Sequence, residues 1–371
     1  MRKLLILLAF LFPQICFSAD ADNADAIKSM LENSNFNGAV LVARDGNVIL
    51  KHVQGVADSI KGEMLDLNSG FELASISKVF TALSIHKLVE EDKISYNDSL
   101  FKFFPKLPYK TVTIAGLLSH TSGLFDVYED QEMRKAFFKH YASTAKNPFK
   151  PYGNQDYLLF LEQFKPPLLG EAYEIDKYSN TGYLLLGLII EKVSGQEYDD
   201  YIETHILKPA DMNNTFVFSK MNAEEVPNFV KGHRIDDNGD INRAPVLDAP
   251  PRMRGETYGD DDMVSTLDDL LKFDKAISDG RYISPVTLVD ALMPLPLKDR
   301  NKISHYGLGF AIDEAQQRRY VGHSGSTTGF ITYMQFGISS DDHTIILLSN
   351  VRGTNMKLRE LYLDIRNIVR N

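Results

Sequence analysis

The residues best suited to chemistry are Ser75 and Lys78, which lie in the stretch Phe71-Glu-Leu-Ala-Ser-Ile-Ser-Lys-Val-Phe-Thr-Ala. Apolar residues recur at helical spacing after Ser75, and this pattern predicts a helix from Ser75 onward. Residues three positions apart lie on one face of a helix, so the hydroxyl and the amine would be neighbours. A neutral lysine can take the proton of a serine hydroxyl and make the oxygen nucleophilic. The pair therefore predicts covalent catalysis through Ser75.

The Ser-x-x-Lys spacing is unspecific on its own, because short motifs recur by chance. The chain contains it four times, at Ser75/Lys78, Ser84/Lys87, Ser99/Lys102 and Ser143/Lys146. The first copy is a convincing candidate only if other parts of the chain supply residues that complete a site.

Tyr178-Ser-Asn180 is the second candidate, just before a strongly apolar predicted helix. It offers a phenol that can share a proton with a lysine and an amide that can orient a carbonyl. A similar spacing at Tyr152 and Asn154 lies in a proline-rich loop instead. Considered alone, Tyr178 could equally be a half-buried core tyrosine.

His323-Ser-Gly325 is the third candidate, at the end of a predicted strand and followed by Ser326. A glycine at a strand edge lets the backbone approach a substrate closely, and backbone N–H groups can stabilise an oxyanion. His305 and Gly307 share the spacing but lack the second glycine-rich turn. A lone histidine can also be structural, so His323 depends on its partners.

The elements that must position these residues are strands at both ends of the chain and helices between them. A hairpin is predicted over 38–55 around Asp45-Gly46. Further strands are predicted over 306–312, 319–323, 330–336 and 344–348, and helices over 24–31, 111–118, 157–164, 182–193, 198–206, 266–277 and 356–369. This order predicts an α+β (α/β sandwich) fold, in which an antiparallel sheet flanked by helices carries an inserted, mostly helical lobe.

The first residues have the features of a secretory signal peptide. Arg2 and Lys3 precede a short apolar run over 4–12, and cleavage is expected after Ser18 or Ala19. The run is too short to span a bilayer, so we expect an exported protein, periplasmic or secreted, without a stable membrane span after cleavage. An uncut N-terminal anchor is the alternative. Residues 20–371 are predicted to form one domain, with a sheet lobe over about 24–70 and 300–371 and a helical lobe over about 75–297.

The composition excludes several classes of protein. Removing Arg2 and Lys3 with the leader takes the formal charge from −10 to −12, so nucleic acid and anionic membranes would be repelled. The single cysteine, Cys16, lies within the leader, which leaves no disulfide and no thiol chemistry. No His-Glu-x-x-His motif is present and the nine histidines are scattered, so we expect no metal and no cofactor. The expected partner is a small-molecule or peptide substrate, and the sequence specifies no oligomeric state.

The three motifs, in this order, resemble those of the penicillin-recognising serine hydrolases. That superfamily comprises class C β-lactamases, D-alanyl-D-alanine carboxypeptidases, D-aminopeptidases and related esterases. Longer stretches that begin at Phe71, Ile114, Tyr178 and Val264 are also similar to it, and the resemblance covers about residues 26–369. It implies a β-lactamase/transpeptidase-like fold and a hydrolase that acts through an acyl-enzyme on Ser75, on a peptide, amide or ester, with D,D-peptidase or β-lactamase-like chemistry.

The resemblance also implies roles for the motif residues. Ser75, Lys78 and Tyr178 would be catalytic, with Tyr178 favoured as the general base and the reverse assignment left open. Asn180 and His323 would contact the substrate. The N–H groups of Ser75 and Ser326, next to Gly325, would bind the oxyanion. Arg352 and Asn355 would lie at the mouth of the cleft, where Arg352 could pair with a substrate carboxylate or be a plain surface residue.

Two departures from the superfamily bear on the substrate. Class C β-lactamases usually carry Lys-Thr-Gly where this chain has His323-Ser-Gly325, and histidine there is more similar to the peptidase and esterase branches. Carboxylates at Asp260-Asp261-Asp262 replace expected glycines. We predict a solvated loop for these three residues; near the cleft they would instead favour a cationic substrate end.

Two alternatives remain open at this point. One is a carboxylesterase of the same fold. The other is a non-catalytic, penicillin-binding-like binding protein, although such a protein has no chemical need for Ser75, Lys78 and Tyr178 together.

Overall fold

The computed structural model describes residues 5–145, 151–217, 226–236, 241–243, 256–299, 305–315, 318–338, 343–353 and 358–370, with side chains from residue 19 onward. The helices are α1 (Leu5–Glu32), α2 (Ser77–Glu90), α3 (Leu100–Phe103), α4 (Ile114–Leu118), α5 (Gln131–Thr144), α6 (Asn154–Phe164), α7 (Asn180–Ser194), α8 (Tyr198–Ile202), α9 (Leu267–Ser278), α10 (Pro285–Ala291) and α11 (Leu358–Arg370). A 3₁₀ turn (Ala74–Ile76) precedes α2, and a π turn (Glu203–Leu207) and a second 3₁₀ turn (Lys208–Ala210) follow α8.

The strands are β1 (Gly38–Arg44), β2 (Asn47–Gln54), β3 (Val56–Asp58), β4 (Glu63–Met64), β5 (Phe71–Glu72), β6 (Phe216–Val217), β7 (His233–Ile235), β8 (Ile241–Arg243), β9 (Met263–Ser265), β10 (Ala311–Ala315), β11 (Arg318–Ser326), β12 (Ile331–Gln335), β13 (His343–Ser349) and β14 (Val351–Arg352). Six of them form the main sheet, in the order β10-β11-β12-β13-β1-β2. Every neighbouring pair in this sheet is antiparallel. The predicted sheet, assembled from the two ends of the chain, is confirmed.

The hairpin of β1 and β2 shows how local sequence sets the register. Asp45 and Gly46 have φ angles of 50° and 74°, as a two-residue turn with two left-handed positions requires. This turn pairs Arg44 with Asn47 and places β1 between β2 and β13. The Asp-Gly signal in the sequence therefore predicted both the turn and the antiparallel pairing.

Helices cover both faces of the main sheet. Val40 and Val42 of β1 pack on one face in a cluster with Ile27 of α1 and Ile365 of α11, all of them buried. The alternate residues Leu41 and Ala43 face the larger core shared with α2, α7 and α9. The period-two alternation of a strand therefore gives β1 two buried faces. These three helices lie on the side of the second face.

Some predicted boundaries shift. The first helix is continuous over Leu5–Glu32 rather than confined to 24–31, and within the described residues no helix is both long and apolar enough to cross a membrane. The strand predicted over 306–312 begins only at Ala311, which leaves Tyr306 in the preceding loop. The final helix is described from Leu358.

Short strands bring distant segments to the start of α2. β9 pairs with both β5 and β6, so the segment before Met263 lies beside the 3₁₀ turn. The Ser77 hydroxyl accepts a hydrogen bond from the Met263 N–H at 3.0 Å. This pairing places residues 260–262 next to the catalytic candidates.

Candidate active site

Ser75 lies in the 3₁₀ turn rather than in the first turn of α2 itself. The preceding residue, Ala74, has a φ of 51°, a left-handed conformation that residues with a Cβ seldom adopt. Strain of this kind persists where the surrounding structure enforces it, and it concentrates at functional sites. Here Leu73 donates its N–H to the Met263 carbonyl at 2.8 Å, and its own carbonyl accepts from the Thr332 hydroxyl at 2.8 Å. Two sheets therefore hold the backbone that carries Ser75.

Lys78 is completely buried and its Nζ contacts three oxygens. These are the Ser75 Oγ at 3.1 Å, the Asn180 Oδ1 at 2.7 Å and the Asp260 backbone carbonyl at 2.8 Å. Burial lowers the pKa of the Lys78 ammonium, and the nearby carboxylates, Asp260 first, offset part of this effect. The structure thus brings Ser75, Lys78 and Asn180 together around one amine with a lowered pKa.

Asp126 fixes the orientation of the Asn180 amide. Its Oδ2 accepts hydrogen bonds from the backbone N–H and from the Nδ2 of Asn180, both at 2.8 Å. A carboxylate can only accept, so the Asn180 Nδ2 must face Asp126 and the Oδ1 must face Lys78. Asp126 is 3 % exposed and also accepts from the N–H groups of Tyr128 and Glu129. No local pattern singled out Asp126, which lies 54 residues before Asn180.

Tyr178 lies beside the lysine, with its ring centroid 5.1 Å from the Lys78 Nζ. Its hydroxyl is buried and has no hydrogen-bond partner of good geometry among the described residues. The Ser75 hydroxyl is nevertheless near enough to lower the pKa of the phenol. Burial raises the pKa of Tyr178, and the Ser75 hydroxyl lowers it only in part. The phenol is therefore protonated in this arrangement.

His120 is a second residue that the sequence did not select individually. It is 1 % exposed, and its ring stacks on that of Tyr178 with centroids 4.1 Å apart. The stretch Ile114–Leu124 contributed to the family resemblance as a whole, which was the only signal for this position. Nothing in the local pattern indicated that its histidine would contact a tyrosine 58 residues along the chain.

The third motif lies on β11, beside the turn that carries Ser75. A Cβ on Gly325 would be 2.2 Å from the Leu73 carbonyl oxygen and 2.9 Å from the Ala74 Cβ, so this close approach requires glycine. His323 is buried, and its Nδ1 lies 2.7 Å from the Ser324 carbonyl. Burial, assisted by the charge of Lys78, lowers the pKa of His323 to about 3, so the imidazole is neutral. Ser326 ends the strand and is exposed.

The prediction of a solvated loop at residues 260–262 is wrong. Asp260 is 0 % exposed and Asp262 5 %, while Asp261 is partly exposed. The loop is buried because its backbone supplies an acceptor to Lys78 and leads directly into β9. Burial raises the pKa of all three carboxyl groups, to about 7 for Asp262, and the Lys78 charge opposes the shift. Three consecutive acidic residues therefore lie close enough to Lys78 for their charges to act on it, and only Asp261 is partly exposed.

The two residues predicted at the mouth of the cleft have different outcomes. Arg352, in β14, is exposed and donates from Nη1 to the Thr327 carbonyl at 2.8 Å, just after Ser326. It therefore supports the loop that follows the third motif. Asn355 lies outside the described residues.

Comparison with known proteins matches this chain to one family. The model of the Beta-lactamase family matches residues 23–370. Penicillin-binding protein 4* of Bacillus subtilis (strain 168) is 36 % identical over 331 residues, which cover 86 % of this chain and 69 % of that protein. The teichoic acid D-alanine hydrolase of Staphylococcus aureus (strain MRSA252) is 26 % identical and matches 91 % of this chain and 77 % of that one.

A solved structure gives the same result for the fold. A penicillin-binding protein from Bacillus halodurans superposes with a TM-score of 0.75 over 92 % of this chain and 99 % of that chain, at 21 % identity. At this level of identity the likeness concerns the fold. It agrees with the α+β architecture that the order of strands and helices predicted.

Proposed function

The chain belongs to the Beta-lactamase family of serine hydrolases, and from this we propose that it hydrolyses an amide or ester through an acyl-enzyme on Ser75. The observation that carries the proposal is the set of contacts at the Lys78 Nζ. Asn180 Oδ1 and the Asp260 carbonyl can only accept hydrogen bonds, so they take two N–H groups of the amine. A neutral lysine has two N–H groups and one lone pair, so the lone pair on Nζ then points to the Ser75 hydroxyl, whose Oγ is 3.1 Å away.

Lys78 is our proposed general base. When the Ser75 Oγ attacks a carbonyl carbon, its proton passes to the Lys78 Nζ and the carbonyl becomes an oxyanion. The ammonium that forms still has three acceptors, so no hydrogen bond is lost in the step. The lowered pKa of Lys78 favours this assignment, since a base must be neutral to act.

Tyr178 is our proposed proton donor to the leaving group. Its raised pKa keeps the phenol protonated, which suits an acid rather than a base. Collapse of the tetrahedral intermediate breaks the bond to the leaving group, which takes the phenolic proton, and Lys78 can return a proton to Tyr178. Water then attacks the acyl carbonyl and gives a proton to the neutral Lys78, the bond to the Ser75 Oγ breaks to release the acid, and Oγ takes that proton back. The sequence analysis favoured Tyr178 as the general base and left the reverse assignment open.

The oxyanion hole remains as the resemblance implies, with N–H groups from Ser75 and Ser326. The close approach of Gly325 to Leu73 supports it, because it brings the end of β11 next to the nucleophile turn. Backbone donors fixed in two different elements need little reorganisation when charge develops.

We also propose that the acyl group carries an ammonium, as an aminoacyl ester or amide does. Asp261 supports this, because the residue is partly exposed and its carboxyl group is close enough to Lys78 for their charges to interact. One relative is named teichoic acid D-alanine hydrolase, and alanine is an amino acid with an amine. Export is part of the proposal, supported by the basic and apolar first residues and by relatives named as penicillin-binding proteins.

The experiment compares three substrates with purified protein and its Ser75→Ala variant: p-nitrophenyl acetate, D-alanine p-nitroanilide and a fluorescent penicillin. We expect Ser75-dependent turnover of the first two. Turnover of the acetate alone would favour a carboxylesterase, and a stable penicillin adduct would favour a D,D-peptidase. No Ser75-dependent reaction with any of them would contradict the proposal and favour a binding protein. N-terminal sequencing of the exported product tests cleavage after Ser18 or Ala19.

A further inference from the structure

His120 is a buried titratable residue to which the mechanism above gives no role. Its backbone has a φ of 59°, in the left-handed region that residues with a Cβ seldom adopt. A strained, buried histidine beside a reacting group points to a function that the strain supports.

Three contacts of His120 converge on three consecutive residues. The backbone carbonyl of His120 accepts the N–H of Lys177 at 3.0 Å, and its Nδ1 accepts the N–H of Ser179 at 3.1 Å. The imidazole ring lies on the ring of Tyr178, with an interplanar angle of 28°. His120 therefore holds the backbone on both sides of Tyr178 and one face of its side chain.

The same contacts fix the protonation of the imidazole. Because Nδ1 accepts from an N–H, it carries no proton, and the proton of the neutral ring is on Nε2. If Nδ1 were protonated, its N–H would face the Ser179 N–H and the hydrogen bond between them would be lost. Lys78 and His323 are the titratable groups whose charged forms act on the ring, and a positive charge on either would oppose one on His120.

Aromatic rings pack against the rest of the imidazole. Tyr306 meets it edge-to-face with centroids 4.7 Å apart, and Tyr183 is tilted against it at 5.2 Å. Burial is the first cause that lowers the pKa of His120 well below its usual value. The ring is therefore a fixed, neutral surface between three tyrosines.

We propose that His120 is a positioning residue for Tyr178, acting through a neutral imidazole whose Nδ1 holds Ser179 and whose face holds the phenol. The inference rests on the proposed function, because it assigns Tyr178 a proton transfer. Misplacing a reacting group by about 1 Å can cost about 100-fold in rate, so loss of either contact should reduce kcat.

Two variants separate the contacts. His120→Asn keeps an acceptor for the Ser179 N–H and tolerates the left-handed backbone, but removes the ring. His120→Phe keeps the ring and removes the acceptor. We expect each to lower kcat for ester hydrolysis roughly 10- to 100-fold, with KM changed less than about threefold.

His86→Asn is the matched control. His86 is also fully buried and is hydrogen bonded at both nitrogens, to the Tyr96 hydroxyl at 2.7 Å and the Leu308 carbonyl at 2.8 Å. This variant should lower Tm without lowering kcat. A folded His120→Asn enzyme with wild-type kcat would overturn the proposal, as would equal kcat losses in the His86 and His120 variants.

A measurement on the wild-type protein keeps the test independent of how the variants fold. With ¹⁵N-labelled histidine, His120 should show a protonated Nε2 and an unprotonated Nδ1 throughout about pH 5 to about pH 8. A ring that titrates within this range, or the opposite tautomer, would contradict the inference. Absence of Ser75-dependent turnover in the wild type would instead refute the proposed function, and the tautomer would still test the contact with Ser179.

Discussion

Replacing Asp126 by asparagine tests the orientation of the site amide most sharply. The Asp126 carboxylate accepts four N–H groups: two from Asn180, both at 2.8 Å, and one each from Tyr128 and Glu129, at 2.8 Å and 3.1 Å. An asparagine has one oxygen and one NH₂ group in place of the two oxygens. Whichever way it turns, its NH₂ faces two N–H donors and two hydrogen bonds are lost.

The size of the effect follows from the charge of the lost acceptor. Hydrogen bonds to charged groups contribute about 1.5–3 kcal/mol each, so two of them correspond to roughly 3–6 kcal/mol of unfolding free energy. Rotation of the Asn180 amide would relieve part of this loss. That rotation would turn its NH₂ toward the Lys78 Nζ and remove the acceptor at 2.7 Å. Since Lys78 then loses a contact that directs its lone pair, we expect kcat to fall about 100-fold.

The assay combines urea unfolding with kcat for p-nitrophenyl acetate. Asp274→Asn is the control, because Asp274 is also a buried carboxylate, 4 % exposed, and accepts from the Gly337 N–H at 3.0 Å and from the Thr344 hydroxyl. A hydroxyl can turn and accept from an NH₂ group, so this variant should keep its hydrogen bonds and its kcat. An Asp126→Asn enzyme that is folded and has wild-type kcat would refute the orienting role of Asp126.

Three further predictions follow from charge and packing. Asp261→Asn removes a negative charge that raises the pKa of the buried Lys78, so that pKa should fall and the acid limb of the kcat/KM profile should move to lower pH. Asp268 is exposed, and Asp268→Asn should leave the acid limb in place. Gly325→Ala puts a Cβ 2.2 Å from the carbonyl oxygen two residues before the nucleophile, so ester hydrolysis should fall at least about 100-fold, whereas Ser324→Ala should remain active. Burial raises the pKa of Asp274 to about 6, so the unfolded state releases that proton first as pH rises. Compared with Asp274→Asn, the wild type should lose about 3 kcal/mol of unfolding free energy between about pH 4 and about pH 6. If urea unfolding gave the two proteins the same dependence of unfolding free energy on pH, the raised pKa of Asp274 would be contradicted.

The sequence predicted the parts of the site that depend on local patterns. Ser75 and Lys78 are three residues apart on a helical turn, so their contact follows from helix geometry. The apolar run after Tyr178 placed Asn180 at the start of α7. The Asp45-Gly46 turn and the strand alternation predicted the hairpin that forms one edge of the main sheet.

Contacts between distant segments could not be predicted in this way. Asp126 and His120 precede the tyrosine motif by more than 50 residues, and no periodicity relates the two segments. The burial of Asp260 is another such case. Three consecutive aspartates are typical of an exposed loop, and their position depends on a backbone carbonyl that Lys78 binds and on the pairing of β9 with β5. Neither the contact of Lys78 with this carbonyl nor the pairing of β9 can be predicted from the side chains of the loop.

Mass spectrometry of the wild-type and Ser75→Ala proteins after reaction with a serine-directed phosphonate tests the central claim most directly. The proposed mechanism predicts one phosphonyl adduct on the wild type, located by peptide mapping on Ser75, and none on the variant. It also predicts much slower labelling of Lys78→Met, because the base is lost. An adduct on another serine, or equal labelling of the wild type and the Ser75→Ala variant, would contradict Ser75 as the nucleophile.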